Sequence, residues 1–361
     1  MRILHIGEYV KGGVATYLRE IIKYQVEDGN EVFLCLSDHI SEKEFPLCEK
    51  NIFRYSYKRS IKNIILSILT IFKYIKQIQP DIVHIHSSFA GVFARTALLL
   101  PLTKKPKIVY CAHGWSFIMQ VPFWQKKIYS IIERFFSLNT DVIINISLHE
   151  QKAASSFLIP ENKFLLIYNG ISKELITDEQ NVVLETNGKI RLLFVGRFDK
   201  QKGLDILFSL FNKEKFTCLD LIVAGENILS EQQISIPFGV TYLGWLKPSE
   251  VEIQYKLCDA VIMPSRWEGF SLVAIEALKH RKPLIASNVT SLPEIVQHQV
   301  NGYLFDNNKP EELKTILQTL DKKKLELMGE KGHETYNKHF TAEIMNKKII
   351  NCYKSLIEKS N

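Results

Sequence analysis

Two glutamates eight residues apart, in a segment that also offers backbone amides, stand out as residues that could do chemistry. After the apolar run Ala260–Met263 the chain reads Pro264-Ser265-Arg266-Trp267-Glu268-Gly269-Phe270-Ser271-Leu272-Val273-Ala274-Ile275-Glu276-Ala277-Leu278. Taken as strand, loop and helix, this string puts Glu268 in the loop and Glu276 two turns into the helix. The amides of Gly269, Phe270, Ser271 and Leu272 then lie at a helix N-terminus, which attracts anions. Glu276 is flanked by Ile275, Ala277 and Leu278, a setting in which an unpaired carboxylate is costly; the hydroxyls of a ligand diol would satisfy both its oxygens. A second run, Arg191–Val195, leads into Gly196-Arg197-Phe198-Asp199-Lys200-Gln201-Lys202-Gly203. Arg197 and Lys202 surround the start of the next helix and suit a diphosphate, one as a two-pronged donor and the other as a point charge. The chain has no Asp-x-Asp to carry a divalent cation on such a group, so the Arg/Lys pair is the expected neutraliser and no metal is expected.

The amino-terminal half offers weaker signals. The first apolar run leads to Gly7 and then Gly12-Gly13, which would let backbone approach a phosphate or sugar, or simply make a tight strand–helix turn. No G-x-G-x-x-G follows, so the dinucleotide fingerprint is missing. His84 and His86 share one face of a strand, but no Cys or carboxylate lies nearby in sequence to complete a metal site, and at least one of them is expected to be a hydrogen-bonded packing residue. Ala112-His113-Gly114-Trp115 presents a histidine at a strand end, placed to touch a substrate, with Trp115 as a stacking surface; a satisfied structural histidine is the plainer alternative.

These segments need a scaffold, and the whole chain supplies the pattern of one. It has 361 residues, 46 Lys+Arg against 39 Asp+Glu, a net charge of +7 and 46% apolar residues. That composition excludes disordered, collagen-like and coiled-coil classes and predicts two domains. Six scattered cysteines, Cys35, Cys48, Cys111, Cys218, Cys258 and Cys352, form no CxxC pair and read as reduced thiols of a cytosolic protein. The apolar start is too short for a signal peptide, and the most apolar stretch, Asn63–Phe72, holds ten uncharged residues, about half of the roughly 20 a spanning helix needs. Charge is concentrated: residues 50–135 hold fourteen Lys/Arg against Asp81 and Glu133, a local +12. Such a region invites an anionic partner, or is a solvated face.

Strands are predicted at Arg2–Ile6, Glu31–Leu36, Ile82–Ile85, Lys107–Cys111, Val142–Ile146 and Phe164–Ile167, with helices at Val14–Glu27, Ile61–Ile78, Phe123–Phe136 and Leu148–Phe157, the last started by a Ser147/Glu150 capping box. A polar stretch after Thr177 reads as a linker. Alternation then resumes with strands Arg191–Val195, Leu219–Ala224, Val240–Leu243, Ala260–Met263 and Leu284–Ala286, and ends in a helix, Ala342–Ile357. The pattern predicts an α/β protein of two Rossmann-like, doubly wound parallel-sheet domains, residues 1–180 and 189–338, with 339–361 as a terminal helix. In open parallel sheets ligands bind beyond the strand ends, where the residues named above lie.

With those residues in view the chain resembles the retaining glycosyltransferases of the GT-B fold, family 4, the glycosyl transferases group 1 family. Glu268–Glu276 matches the family's E-x7-E motif and Gly196-Arg197 to Lys202-Gly203 its phosphate-binding segment. Gly12-Gly13 matches its glycine loop, Ala112-His113-Gly114 its His loop, and Tyr168-Asn169-Gly170 its Asn-Gly turn. The resemblance implies two domains facing a cleft, with the terminal helix crossing back to the first. It implies a nucleotide-sugar donor, UDP-sugar before GDP-sugar, held mainly by the second domain. Glu276 would bind the ribose, Arg197 and Lys202 the diphosphate, Gly269 to Leu272 phosphate and sugar, and Glu268 and His113 the transferred sugar; Gly12, Gly13, Gly196 and Asn169 complete the donor site. The first domain would bring a glycan or lipid-linked acceptor. No metal or other cofactor and no nucleic acid is implied. The setting would be bacterial surface polysaccharide synthesis in the cytoplasm, with the basic region docking peripherally on the inner face of an acidic membrane. Departures fall at Lys279-His280-Arg281-Lys282-Pro283, at Thr290-Ser291 where Gly-Gly is usual, and at Ser172, so the identity of the sugar does not carry over. A GT-B sugar-nucleotide epimerase and a binding-only subunit of a polysaccharide assembly complex are the rival readings; a nicotinamide oxidoreductase lacks its fingerprint here.

Overall fold

A computed structural model describes residues 1–56, 61–175, 188–226 and 236–359. The chain divides into two compact units, Met1–Ser172 with Ala342–Asn361, and Lys173–Thr341. The first division therefore falls at Ser172/Lys173, earlier than the linker read from sequence. Residues 176–187, which hold most of that linker, lie outside the described residues, as do Lys58 and Arg59 of the basic region.

In the first unit β1 (Arg2–Gly7), β2 (Glu31–Ser37), β3 (Ile52–Tyr55), β4 (Ile82–His86), β5 (Lys107–Cys111), β6 (Val142–Asn145) and β7 (Phe164–Leu166) form a parallel sheet in the order 3-2-1-4-5-6-7. In the second, β8 (Ile190–Val195), β9 (Leu219–Ala224), β10 (Val240–Gly244), β11 (Ala260–Met263), β12 (Leu284–Ser287) and β13 (Gly302–Phe305) run parallel in the order 10-9-8-11-12-13. Ile3, Leu4 and Ile6 of β1 and Leu192, Leu193 and Phe194 of β8 are all buried, as expected of strands covered by helices on both faces. Both orders reverse beside the first strand of their unit, at β1/β4 and at β8/β11. Open sheets bind ligands at such switch points, and the candidate loops fall there: Gly12-Gly13 follows β1, Gly196–Gly203 follows β8 and Glu268 follows β11.

Several elements escape the sequence reading, among them strands β3 and β13 and the helices Ser88–Ala97, Pro310–Gln318 and Lys322–His339. Strand β3 (Ile52-Phe53-Arg54-Tyr55) carries a charge in its middle and β13 begins on a glycine, so neither shows an unbroken apolar run of four. Helix Ser88–Ala97 buries Ala90, Gly91, Phe93, Ala94, Arg95 and Ala97, so it lacks the polar stripe that marks an amphipathic helix. The Ser147 cap is present, with its hydroxyl accepting from Glu150 N at 3.0 Å, but the Glu150 carboxylate reaches back to Ile146 N rather than to Ser147.

Two buried contacts fix helices that matter below. The last helix, Ala342–Glu358, belongs to the first unit: Ala342 N donates to Ile171 O at 2.9 Å, and Tyr353 OH lies 2.6 Å from His84 Nδ1. Helix Phe123–Ser137 is held by Glu133, whose carboxylate accepts from Arg95 Nη2 at 2.6 Å and from Tyr110 OH at 2.8 Å. That pair is almost wholly buried, and the Arg95 guanidinium lies 4.0 Å from the centre of the Tyr110 ring. Turning Glu133 inward sets which side of the helix faces out.

Candidate active site

In the second unit, Gly203 starts the helix Leu204–Lys213 from a left-handed conformation (φ 70°), and a Cβ there would sit 2.1 Å from Pro264 O. Only glycine fits, and this close approach lays the Lys202 loop against the end of β11. Lys202 Nζ then donates to Glu268 Oε1 at 2.7 Å, and Ser265 Oγ donates to the same oxygen at 2.7 Å. Glu268 is 6% exposed, yet its charge is matched, and no hydrogen bond among the described residues reaches its Oε2. Lysine has three donors, so Lys202 can keep Glu268 and still meet an anion. Arg197 does not join this pair: it is exposed and reaches Asp199 at 3.2 Å and Gln201 at 3.3 Å.

Glu276 lies little more than one turn into helix Leu272–Lys279, nearer its start than the string suggests. Ser271 caps that helix through Ala274 N at 3.4 Å; Phe270 is buried against Phe340, with ring centres 5.5 Å apart. The Glu276 Oε2 accepts from Tyr255 OH at 2.9 Å, and Tyr255 stacks on His280 at 5.3 Å. Burial raises the Glu276 carboxyl above its ordinary range, opposed by Tyr255 and by the Lys279 and Lys202 charges. Tyr255, Ser265 and Thr290 are the supporting residues that the sequence reading missed, because nothing in their spacing ties them to Glu268 or Glu276. Thr290 is the most informative of them. It takes a positive φ of 48° where glycine would be unstrained, and its Oγ1 accepts from Glu268 N at 2.8 Å. The bulkier residue is held by a bond to the very segment it borders.

In the first unit Gly12 caps helix Gly13–Glu27 (φ 60°, ψ −129°), and its N–H donates to Glu42 Oε1 at 3.0 Å. Glu42 also pairs with Arg19, so a carboxylate of the chain already sits at this helix N-terminus. Asn169 is buried with its Oδ1 lacking a hydrogen-bond partner among the described residues. His113 follows β5 with a positive φ of 52° and Gly114 with one of 113°, so the ring is presented by a strained turn. Trp115 is not a stacking surface: it is 1% exposed, packs on Phe117 and donates from Nε1 to Asn145 Oδ1 at 3.0 Å. It is the platform under the His113 loop. His84 and His86 do find a third histidine, because β1 pairs with β4 and sets His5 opposite His84. Donor nitrogens of the three buried rings lie within 4.8 Å of one another, a set that could hold a metal. Two of them are already hydrogen-bonded to each other, His5 Nδ1 to His86 Nε2 at 3.1 Å.

Known proteins give this arrangement its context. The profile described as Glycosyl transferases group 1 matches residues 176–338, and that described as Glycosyltransferase Family 4 matches residues 11–175. An uncharacterized 41.2 kDa protein in the cps region of Klebsiella pneumoniae is 32% identical over 98% of this chain and 100% of its own length. The O-antigen biosynthesis glycosyltransferase WbnH of Escherichia coli is 27% identical over 82% of this chain and 83% of its own. Among solved structures, Anabaena HepE in complex with UDP-glucose superposes with a TM-score of 0.82 at 19% identity, covering 98% of this chain and 100% of that one, which shows the fold. Two doubly wound parallel-sheet units with these relatives define a glycosyltransferase of GT-B type. The chain belongs to the glycosyltransferase family 4, glycosyl transferases group 1, family.

Proposed function

We propose that this glycosyltransferase moves a hexose or related sugar from a nucleoside-diphosphate sugar to a glycan or lipid-linked acceptor, with retention and without a metal. The observation that carries the reading is the Lys202–Glu268 pair at the β8/β11 switch point, beside a capped helix N-terminus and the half-satisfied Glu276. Lys202 and Arg197 bind the diphosphate and stabilise it as it departs, which speeds the reaction only insofar as they hold the leaving group more tightly in the transition state. Glu276 takes the ribose hydroxyls, Glu268 Oε2 and His113 contact the sugar, and Gly12-Gly13 and Asn169 line the rest. HepE's complex with UDP-glucose favours UDP as the donor nucleotide; a GDP-sugar is the second candidate. The cps-region relative from Klebsiella and the O-antigen biosynthesis glycosyltransferase from Escherichia favour bacterial surface polysaccharide as the product.

Incubation with UDP-, GDP- and ADP-sugars, scoring nucleoside diphosphate release with and without a lipid-linked acceptor, tests the activity. Release is expected to need acceptor and to survive EDTA, and Arg197→Ala or Lys202→Ala is expected to lower turnover on the order of 10²-fold. Full dependence on Mg²⁺ or Mn²⁺, restored by adding the ion back, contradicts the metal-free reading. Tyr255→Phe removes a hydrogen bond to a carboxylate that holds the donor in ground and transition state alike. It is expected to raise the donor KM by roughly 10-fold with kcat little changed; a fall in kcat instead would place Glu276 at the reacting centre.

Membrane docking is the second part of the proposal. No helix among the described residues is long and apolar enough to cross a membrane. Helix Phe123–Ser137 turns Trp124, Ile128, Ile131 and Phe135 outward, with Leu138 just beyond, and Trp124 and Ile131 are 61% and 66% exposed. Lys126, Lys127 and Arg134 lie on the same helix, and the Lys127 ammonium sits 5.0 Å from the centre of the exposed Phe123 ring. Ile65, Leu66 and Leu69 add a second exposed apolar strip on helix Ile61–Ile78. The basic region itself is less available than its sequence count suggests. Lys104 pairs with Asp81 at 2.5 Å and Lys107 with Asp141 at 3.6 Å, while Phe117 is in the core. An outward apolar stripe edged by cations suits an acidic leaflet. Liposome cosedimentation across a salt series is expected to show binding that needs acidic lipid and weakens with salt. Trp124→Glu with Ile131→Glu should abolish it, and equal binding by that variant would reduce the stripe to ordinary surface.

A further inference from the structure

A single file of hydrogen bonds runs through the first unit and ends on His113. Gln25 Oε1 lies 2.7 Å from His5 Nε2, His5 Nδ1 lies 3.1 Å from His86 Nε2, and His86 Nδ1 lies 3.0 Å from His113 Nε2. Gln25, His5 and His86 have no exposed surface. Burial holds the His5 imidazole down to about 4 and that of His113 to about 3, and pushes His86 well below the ordinary range, so the rings are neutral at physiological pH. A neutral imidazole carries one N–H and one lone pair. With its oxygen on His5 the Gln25 amide accepts, and its Nε2 has no hydrogen-bond partner among the described residues; in this orientation His5 carries its proton on Nε2 and leaves Nδ1 bare. His86 Nε2–H then fills that position, leaving His86 Nδ1 bare for His113 Nε2–H. Any other arrangement with the amide oxygen at His5 sets two protons or two lone pairs face to face at about 3 Å, which is strongly unfavourable in a buried site.

We propose that Gln25, acting through His5 and His86, fixes His113 as its Nε2–H tautomer, so that Nδ1 stands as a hydrogen-bond acceptor for a hydroxyl of the sugar. The part concerning sugar rests on the functional reading above; the tautomer does not. No hydrogen bond among the described residues reaches His113 Nδ1. The ring is also held from the side by Tyr17, whose ring centre is 4.5 Å away in an edge contact, and from the backbone by the strained His113-Gly114 turn. Gln25, His5 and His86 are thus positioning residues, and His113 is an acceptor rather than a proton donor. The same file ties two rings of the three-histidine cluster to each other through the His5–His86 bond.

The test is the ¹⁵N spectrum of histidine-labelled, donor-free protein, in which protonated and bare ring nitrogens resonate far apart. The expected result for His113 is Nε2 protonated and Nδ1 bare, in slow exchange with any other form. Gln25→Met, which removes the acceptor at the head of the file, is expected to give a mixture of His113 tautomers. In the same variant kcat should fall by about 10-fold, the lower end of what loosening the group that orients an active histidine costs. Should that variant fail to fold, the wild-type spectrum still decides. A His113 Nδ1–H form, a doubly protonated ring at neutral pH, or tight binding of one equivalent of zinc with loss of the His5–His86 bond would overturn the proposal. The expected spectrum together with full turnover by His113→Ala would leave the file standing and remove His113 from the sugar site. The wrong tautomer together with an inactive His113→Ala would do the reverse.

Discussion

Glu268→Gln is expected to lower kcat by roughly 10² to 10³-fold with little change in the donor KM, the loss seen when one preorganised polar group at a reacting centre is removed. The variant keeps the shape of the side chain and an oxygen for Ser265 but loses the charge. In the native site that charge holds Lys202 Nζ at 2.7 Å, and Lys202 is only 15% exposed. Lys202 therefore has one donor committed to position and two left for the diphosphate. Without the carboxylate, the ammonium is both less well placed and left without its partner in a half-dry setting, where unmatched charge is costly. Glu268 Oε2 is lost to the sugar as well. A cycle with Lys202→Met separates these roles. If Glu268 acts only by placing Lys202, the double variant should be no slower than Lys202→Met alone; if Oε2 also meets the sugar, it should be slower still. Steady-state kinetics on the donor identified by the sugar panel measures both, and a kcat within threefold of wild type for Glu268→Gln would make the glutamate a structural residue.

Acid is expected to unfold the first unit well before its carboxylates titrate. An unfolded histidine takes up its proton near pH 6.5. In the folded unit burial lowers His5 to about 4, and lowers His84 and His86 well below the ordinary value, with the neighbouring imidazoles pushing those two in the same direction. Tyr17 and Tyr353 line the same pocket and stay neutral, since burial raises both phenols well above their ordinary range. Below pH 6.5 the unfolded chain thus binds more protons than the folded one, so stability is fully present above that pH and is lost as pH falls toward about 4. Four imidazoles acting together, since burial also holds His113 to about 3, give a slope of about 5 kcal/mol per pH unit across that window. Urea melts of the whole protein between pH 7.5 and 5.0, followed by a first-unit probe such as Trp115 fluorescence, measure it. The slope should approach four protons, and His84→Phe should reduce it by about one. A flat profile to pH 5.5 would mean that these rings gain protons without unfolding, contrary to their burial.

Much of this was legible in sequence, for reasons that differ from residue to residue. The alternation of apolar runs with amphipathic stretches depends on local period alone, so β1, β5, β9 and β11 and the helices Gly13–Glu27, Ile61–Ile78, Phe123–Ser137 and Ala342–Glu358 stand where the sequence puts them. Residues that follow strands can be singled out from sequence as the ones to interrogate, because a parallel sheet brings its strand ends to one edge whatever the details. The edge strands β3 and β13 and the helix Ser88–Ala97 were not legible: Arg54 interrupts the first, the second begins on Gly302, and the third is buried on most sides. Trp115 reads as an exposed aromatic beside a strand-end histidine, yet the turn carries it into the core to meet Asn145.

By itself the amino-acid sequence determined the class of fold, the two-domain division in outline and the family, and it marked the candidate residues of the site, since all of these follow from short-range pattern and from motifs whose members are neighbours in the chain. Only the tertiary structure decided what those residues touch. Lys202 meets Glu268 across 66 positions because Gly203 allows the two loops to close on each other. His5 meets His86 across 81 positions because β1 and β4 pair in register, and Gln25 reaches them from a helix with no motif of its own. Charge pairing, burial and the direction of a hydrogen bond depend on distances in space, and the order of residues along a chain does not specify those distances until the sheet has set its register.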